Sequence, residues 1–329
     1  MSILVTGGAG YIGSHTAAEL VAHGEDVIVV DNLETGHRGA LLDVPFYPLD
    51  IRDSAQLTEV MQGHHVDTVV HFAANSLVGE SVQNPLKYYE NNVAATASLL
   101  STMVKAGVRR IVFSSTAAVY GEPEQVPIDE RDLKNPTNPY GDTKLTIENM
   151  LRWSHQAYGL KSVSLRYFNA AGAHPSLPIG EDHQPETHLI PIILQVALGQ
   201  REAVSVFGND YPTEDGTCIR DYIHVMDLAS AHRLAVNRLR TDQGGAESFN
   251  LGNGTGFSVK EVIEVARQVT GHPIPAIETE RRPGDPAALV ASSDLAKSIL
   301  GWRPQFDDLS TIVASAWKWH QAHPHGYEE

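Results

Sequence analysis

Short runs of consecutive apolar residues alternate with longer amphipathic stretches through the first half of the chain. Ile3–Val5, Asp26–Val30, Asp67–Phe72, Arg109–Ser115 and Lys161–Asn169 are rich in β-branched residues and too short for helices. Their nearly continuous apolar character predicts strands covered on both faces. Between them Tyr11–Ala22, Arg52–Met61, Pro85–Ala106 and Pro139–Tyr158 carry helical spacing, with Gly24 and Gly107 where helix C-caps are expected. Such alternation predicts an α/β fold, a doubly wound parallel sheet of Rossmann type. Beyond residue 169 the pattern loosens and Pro-Gly punctuation increases. The expected division is a dinucleotide-binding unit at 1–169 and a smaller mixed substrate-binding unit at 170–329. The strand-like Arg220–Asp227 is expected to return to the main sheet, and segment 219–240 is assigned with it to the first unit.

Composition narrows the partners. A chain of 329 residues can bury a large core, and its net charge of −16 argues against nucleic acid or a membrane surface as partner. No apolar run approaches the length of a membrane span. The single cysteine, Cys218, forms no intramolecular disulfide and is expected to pack, which suits a reducing, cytoplasmic setting. The histidines show no spacing such as His-Glu-x-x-His, so no metal is expected.

Chemistry enters with "VTGGAGYIGSH", between the first strand and the first helix. Gly7, Gly10 and Gly13 permit a tight turn that brings backbone close to a pyrophosphate at a helix N-terminus. Asp31 ends the second strand, eighteen residues beyond Gly13. A carboxylate there accepts from ribose hydroxyls and repels a 2′-phosphate, which points to NAD rather than NADP.

In "NPTNPYGDTK", Asn138 suits a helix N-cap and Pro139 the first helical position. Tyr140 and Lys144 then share one helix face. An ordinary phenol, with a pKa of about 10, is a poor base near neutrality. The expectation is that the Lys144 ammonium, together with an oxidised nicotinamide, lowers Tyr140. Thr116, in the strand-end stretch "FSSTAAVYG", can hydrogen-bond both a substrate hydroxyl and Tyr140, although Ser114, Ser115 and Thr116 are all equally able to satisfy backbone groups at the strand end.

A glycine loop, strand-end hydroxyls and a Tyr-x-x-x-Lys pair in this order resemble the extended short-chain dehydrogenase/reductase family. The likeness is carried further by "VGESVQNPLKYYENNV", "LRYFNAAGAHP" and "FGNDYPTEDGTCIRDYIHVMDLA", within its nucleotide-sugar epimerases. It implies NAD contacts at Gly7, Gly10, Tyr11, Ile12, Gly13, Asp31, Asn32, Asp50, Ile51, Phe72, Ala73, Asn91, Tyr140, Lys144 and Phe168. It also implies a UDP-hexose held by Thr116, Tyr140, Asn169, Leu189, Phe207, Arg220, Arg282, Asp285 and Leu289, with Arg220 and Arg282 suited to a diphosphate. Three positions depart from the family pattern: Thr116 for a common serine, Ser76 for a cofactor-facing lysine, and His188 for an asparagine near the nucleotide.

The implied reaction inverts C4 of a UDP-hexose through a transient 4-keto sugar, interconverting UDP-glucose and UDP-galactose, with Thr116, Tyr140 and Lys144 catalytic. A 4,6-dehydratase resembles sites with Asp-Glu after the strand-end threonine, where this chain has Ala117 and Ala118. A non-catalytic NAD sensor commonly loses the Tyr-Lys pair, which is present here. Leu289 is expected to line the sugar pocket and disfavour N-acetylated sugars. A homodimer through the helices Pro85–Ala106 and Pro139–Tyr158 is implied by the same resemblance.

Overall fold

The computed structural model describes residues 1–241, 243–282 and 285–328. The first half runs β1 (Ser2–Thr6), α1 (Tyr11–Ala22), β2 (Asp26–Val30), β3 (Phe46–Tyr47), α2 (Ser54–Gly63), β4 (Val66–His71), α3 (Val78–Gln83), α4 (Pro85–Tyr88), α5 (Ala95–Ala106), β5 (Arg110–Thr116), α6 (Pro139–Tyr158) and β6 (Lys161–Tyr167). The second half adds β7 (Asn169–Ala171), α7 (Leu189–Ala197), β8 (Val204–Phe207), β9 (Ile219–Arg220), β10 (Tyr222–His224), α8 (Val225–Leu239) and β11 (Ala246–Leu251). It ends with β12 (Phe257–Ser258), α9 (Val259–Thr270), β13 (Ala276–Thr279), β14 (Ala288–Leu289) and α10 (Leu309–Ala322).

Seven strands form one sheet in the order β11-β6-β5-β4-β1-β2-β3, and all neighbours are parallel. Successive β1 residues serve opposite faces. Ile3 and Val5 join Leu20, Leu228 and Val236 in one core, while Leu4 joins Leu57, Leu99 and Ile147 in another. Burial on both faces is why the strands read as continuous apolar runs. The chain winds outward in opposite directions from β1 and β4, so the loops at their carboxyl ends diverge and open a crevice. A separate core of Ile190, Ile193, Val204, Val262 and Ile312 supports the second half.

Several boundaries differ from the sequence expectation. Lys161–Asn169 divides at Phe168: β6 stays in the main sheet while β7 leaves it to pair with β10, Asn169 opposite Tyr222. Of Arg220–Asp227 only short strand pieces survive, and neither joins the main sheet, because Val225 already begins α8. The strand that does return is β11, paired with β6 from Ala246↔Ser162 to Leu251↔Tyr167. Its Glu247, Ser248 and Asn250 interrupt the apolar run that marks the other strands. The long helix expected over 85–106 is π-wound at Tyr89–Ala94, between α4 and α5. Gly107 caps α5 at φ 83°, as expected. Among the described residues, no helix is long and apolar enough to cross a membrane.

Candidate active site

The glycine loop lies at the mouth of the crevice. Gly7 has φ +73° and its N–H donates to the Val30 carbonyl at 2.9 Å, while a Cβ on Gly13 would overlap the Gly7 carbonyl oxygen. These two glycines are required by the turn itself. Gly10 is different: a Cβ there meets only the Gly7 oxygen at 3.4 Å, so chain packing does not demand glycine. Gly10 is also the N-cap of α1, whose first turn has neither a side-chain cap nor an acidic residue. Open approach and unclaimed helix N–H groups together fit a pyrophosphate. Tyr11 and Ile12 enter the helix from this loop, and the Tyr11 hydroxyl donates to the Gly172 carbonyl at 2.6 Å, tying it to the second half.

Asp31 is buried at the end of β2, accepting the Ala9 N–H at 2.9 Å and the Leu33 N–H at 2.8 Å. Burial raises its pKa above the ordinary value, against these two hydrogen bonds. A carboxylate offers about four acceptor sites, so capacity remains for a ribose. Asn32 beside it is exposed. Asp50 is engaged by Arg52 (2.6–2.9 Å), and Ile51 is buried in the core with Leu57. Phe72 and Ala73 leave β4 with both N–H groups on the Thr6 carbonyl, which brings them against the glycine loop. Asn91 lies in the π-wound turn; its neighbour Asn92 is buried and holds both the Asn75 N–H and carbonyl. Ser76 is exposed just beyond.

The Tyr-Lys pair sits where α6 begins. Asn138 caps the helix by accepting the Gly141 N–H at 2.9 Å, with Pro139 first in the helix, as expected. The lysine's effect is not the one expected. Lys144 is buried, donates to the Ser114 carbonyl at 2.9 Å and lies 5.0 Å from the Phe113 ring and 5.8 Å from that of Tyr140. Desolvation lowers it to about 7. Desolvation also raises the Tyr140 phenol above its ordinary value, and only the Thr116 hydrogen bond opposes that. The chain's own groups therefore leave Tyr140 as a phenol.

The strand-end hydroxyls divide cleanly. Ser114 pairs with the Tyr167 hydroxyl, and Ser115 donates to Glu148 at 2.6 Å. Thr116 accepts the Ala118 N–H at 3.2 Å and is the hydroxyl of the three that acts on Tyr140. Glu148 also binds Arg166 at 2.9 and 2.5 Å, and Arg166 donates to the Tyr120 hydroxyl at 2.8 Å. This buried network lies directly behind the strand end.

On the substrate side, Leu289 and Phe168 pack on Val119, Tyr120 and Ile128, the segment following Thr116. β14 places Leu289 opposite Arg220. Arg220 donates to the Ile219 and Pro286 carbonyls and stands 3.5 Å from Asp285, whose other oxygen accepts from Arg282 at 3.0 Å. Arg282 also lies over the Phe207 ring at 4.7 Å. Asn169 donates to the Asp221 carbonyl at 3.1 Å, and Leu189 opens α7. Cys218 is buried, as expected of a packing residue.

His188 stands apart from the arginines. Its half-exposed ring approaches Glu181 and Glu186, and although desolvation opposes charge, these carboxylates raise it to about 10. Sequence reading passed over this group, yet its spacing, Glu-x-His-x-x-Glu-x-His from Glu181 to His188, was available. A cavity of about 660 Å³ lined by Met61, Asp67, Arg109 and Lys161 lies at the amino ends of β4–β6, away from the loop and from Tyr140.

Known proteins share this arrangement. A relative from Halalkalibacterium halodurans, a UDP-glucose 4-epimerase, is 66% identical over 327 residues, covering 99% of this chain and 98% of its own. The crystal structure of a UDP-glucose 4-epimerase superposes with a TM-score of 0.97 at 55% identity, covering 100% of both chains. The UDP-glucose 4-epimerase of Bifidobacterium longum, solved with NAD+ and UDP, gives 0.94 at 42% identity, covering 99% of this chain and 100% of its own. The family profile described as "NAD dependent epimerase/dehydratase family" matches residues 3–252. With the glycine loop, Asp31 and the Tyr140–Lys144 pair set around one crevice, the chain belongs to the NAD dependent epimerase/dehydratase family.

Proposed function

We propose that the chain interconverts UDP-glucose and UDP-galactose by NAD-dependent inversion at C4. The observation that carries this is the convergence of Thr116 and Tyr140 at the carboxyl end of β5, beside a glycine loop whose Gly10 is unexplained by packing. Relatives over the whole chain length are UDP-glucose 4-epimerases.

NAD would lie along the glycine loop, Asp31, Phe72, Ala73 and Asn91, with Asn32, Asp50 and Ile51 nearby, and there supplies a reversible hydride acceptor. Tyr140, raised by burial among the chain's own groups, would need a cation such as an oxidised nicotinamide beside it to act as a base near neutrality. Tyr140 would take the proton of the sugar's 4-hydroxyl while C4 gives up its hydride, and would return that proton to the same oxygen once the 4-keto sugar has turned and regained the hydride on its opposite face. Thr116 would orient that hydroxyl, and Lys144, anchored on the Ser114 carbonyl, would orient the cofactor's ribose. Arg220 and Arg282 receive the diphosphate, while Asn169, Leu189 and Phe207 border the nucleotide.

Neither Ala117 nor Ala118 can serve as the acid or base of a dehydratase. The test is turnover of UDP-galactose by purified protein without added nucleotide. UDP-glucose should form catalytically, and a stoichiometric demand for NAD would refute the cycle. In the same assay, UDP-N-acetylglucosamine should react poorly, and Leu289→Ser should improve it by opening room beside Phe168. Equal kcat/KM on both sugars in the unmodified chain would remove Leu289 as the gate.

A homodimer is also proposed, through α4–α5 and α6. Leu86 and Trp153 are exposed large apolar side chains on these helices, at 78% and 59%. Sedimentation should give twice the chain mass; a monomer at micromolar concentration would exclude the dimer.

A further inference from the structure

Outside the crevice, four side chains converge in the loop that leads into α7. Glu181, His183, Glu186 and His188 each present one ligand atom, and these atoms lie within 4.8 Å of one another. His183 Nδ1 is 3.3 Å from Glu181 Oε1 and 3.7 Å from Glu186 Oε2. His188 Nδ1 is 2.7 Å from Glu181 Oε1 and 3.3 Å from Glu186 Oε1.

These contacts are close but not built as hydrogen bonds. Glu181 is 3% exposed, yet its Oε1 and the Nδ1 of His183 both lack an aligned hydrogen-bond partner. Proximity without alignment is the geometry of atoms aimed at a common point. A tetrahedral zinc site with metal–ligand bonds of about 2.0–2.1 Å has ligand–ligand edges of about 3.3 Å. The four nitrogen–oxygen contacts, from 2.7 to 3.7 Å and counting both Glu186 oxygens, bracket that value, and with all four groups within 4.8 Å of one another a small inward shift of the side chains completes the sphere.

The surroundings fix the ligands as well. Glu186 Oε1 accepts the Thr187 and His188 N–H groups at 2.7 and 2.8 Å, which holds its carboxylate. The Glu181 carbonyl accepts from the Trp319 indole at 3.2 Å, which anchors the loop to α10. Two imidazole nitrogens and two carboxylates suit zinc and its neighbours, whereas calcium and magnesium favour oxygen alone.

We propose that Glu181, His183, Glu186 and His188 form a structural site for a divalent cation of the zinc class. Four protein ligands close the coordination sphere, so the ion staples rather than catalyses. It fastens the start of α7, where Leu189 stands, to α10 and to Tyr11, whose ring meets His183 edge-on at 6.2 Å. The ion itself takes no part in the proposed reaction.

The test is calorimetric titration of the EDTA-dialysed full chain with ZnCl2. One Zn2+ per chain should bind with release of protons and raise Tm, and Co2+ in its place should give the visible spectrum of a four-coordinate ion. His183→Ala and Glu181→Gln should each weaken binding by about 100-fold or more. A His323→Ala/His325→Ala variant controls for the histidine-bearing tail and should bind as the unmodified chain does. If Glu181→Gln does not fold, His183→Ala decides, since its ring is 27% exposed. Failure to take up stoichiometric Zn2+, or unchanged affinity in His183→Ala, would overturn the site and leave an ion-pair cluster.

Discussion

Tyr140→Phe is expected to lower UDP-galactose turnover by about 10²–10⁴-fold, the range for loss of a positioned general base. The ring is kept, and the anchoring of α6 by Asn138 and of Lys144 by the Ser114 carbonyl does not involve the phenol. Bound NAD, measured after denaturation, and the circular dichroism spectrum should therefore be unchanged. Thr116→Val should cost less, since it removes an orienting hydrogen bond but leaves the group that moves the proton. Near-normal turnover in Tyr140→Phe, or a larger loss in Thr116→Val, would displace Tyr140 from its role.

The second large effect concerns stability. Glu148→Ala should destabilise the chain by about 3–5 kcal/mol, because it strands a buried charge. The Arg166 and Glu148 side chains are only 6% and 8% exposed, and without Glu148 the guanidinium keeps the Tyr120 hydroxyl as its hydrogen-bond acceptor. Ser115 loses its acceptor in the same step. Replacing both partners, as Glu148→Leu with Arg166→Met, should cost far less, since no charge is then left unpaired. Urea unfolding reads both variants; a loss below about 1 kcal/mol for Glu148→Ala would mean that the pair behaves like an exposed one.

Much of this fold could be read from the chain because its strands are buried on both faces. Ile3, Leu4 and Val5 announce a strand without needing periodicity. Local chemistry was equally readable where it is covalent or steric, as at Asn138-Pro139 and at Gly7 and Gly13. What escaped depends on tertiary partners. The polar residues of β11 hide an edge strand, and nothing local marks Phe168 as the point where the chain leaves the main sheet. Spacing placed Lys144 beside Tyr140, but burial decides its charge, and burial is not written in spacing. The Ser114 and Ser115 hydroxyls could be assigned only once Tyr167 and Glu148 were in place behind them.

Asp285 lies between Arg220 and Arg282, so the two guanidinium groups carry an internal counter-ion. A diphosphate arriving there exchanges one anion for another instead of neutralising bare charge. The free energy gained is the difference between two partnerships, which limits how tightly the nucleotide is held and eases its departure. With a net charge of −16 on the chain, there is no overall field to draw an anion in from a distance. Encounter should then be slow for an arginine-lined site, and added salt should hasten it by screening the repulsion.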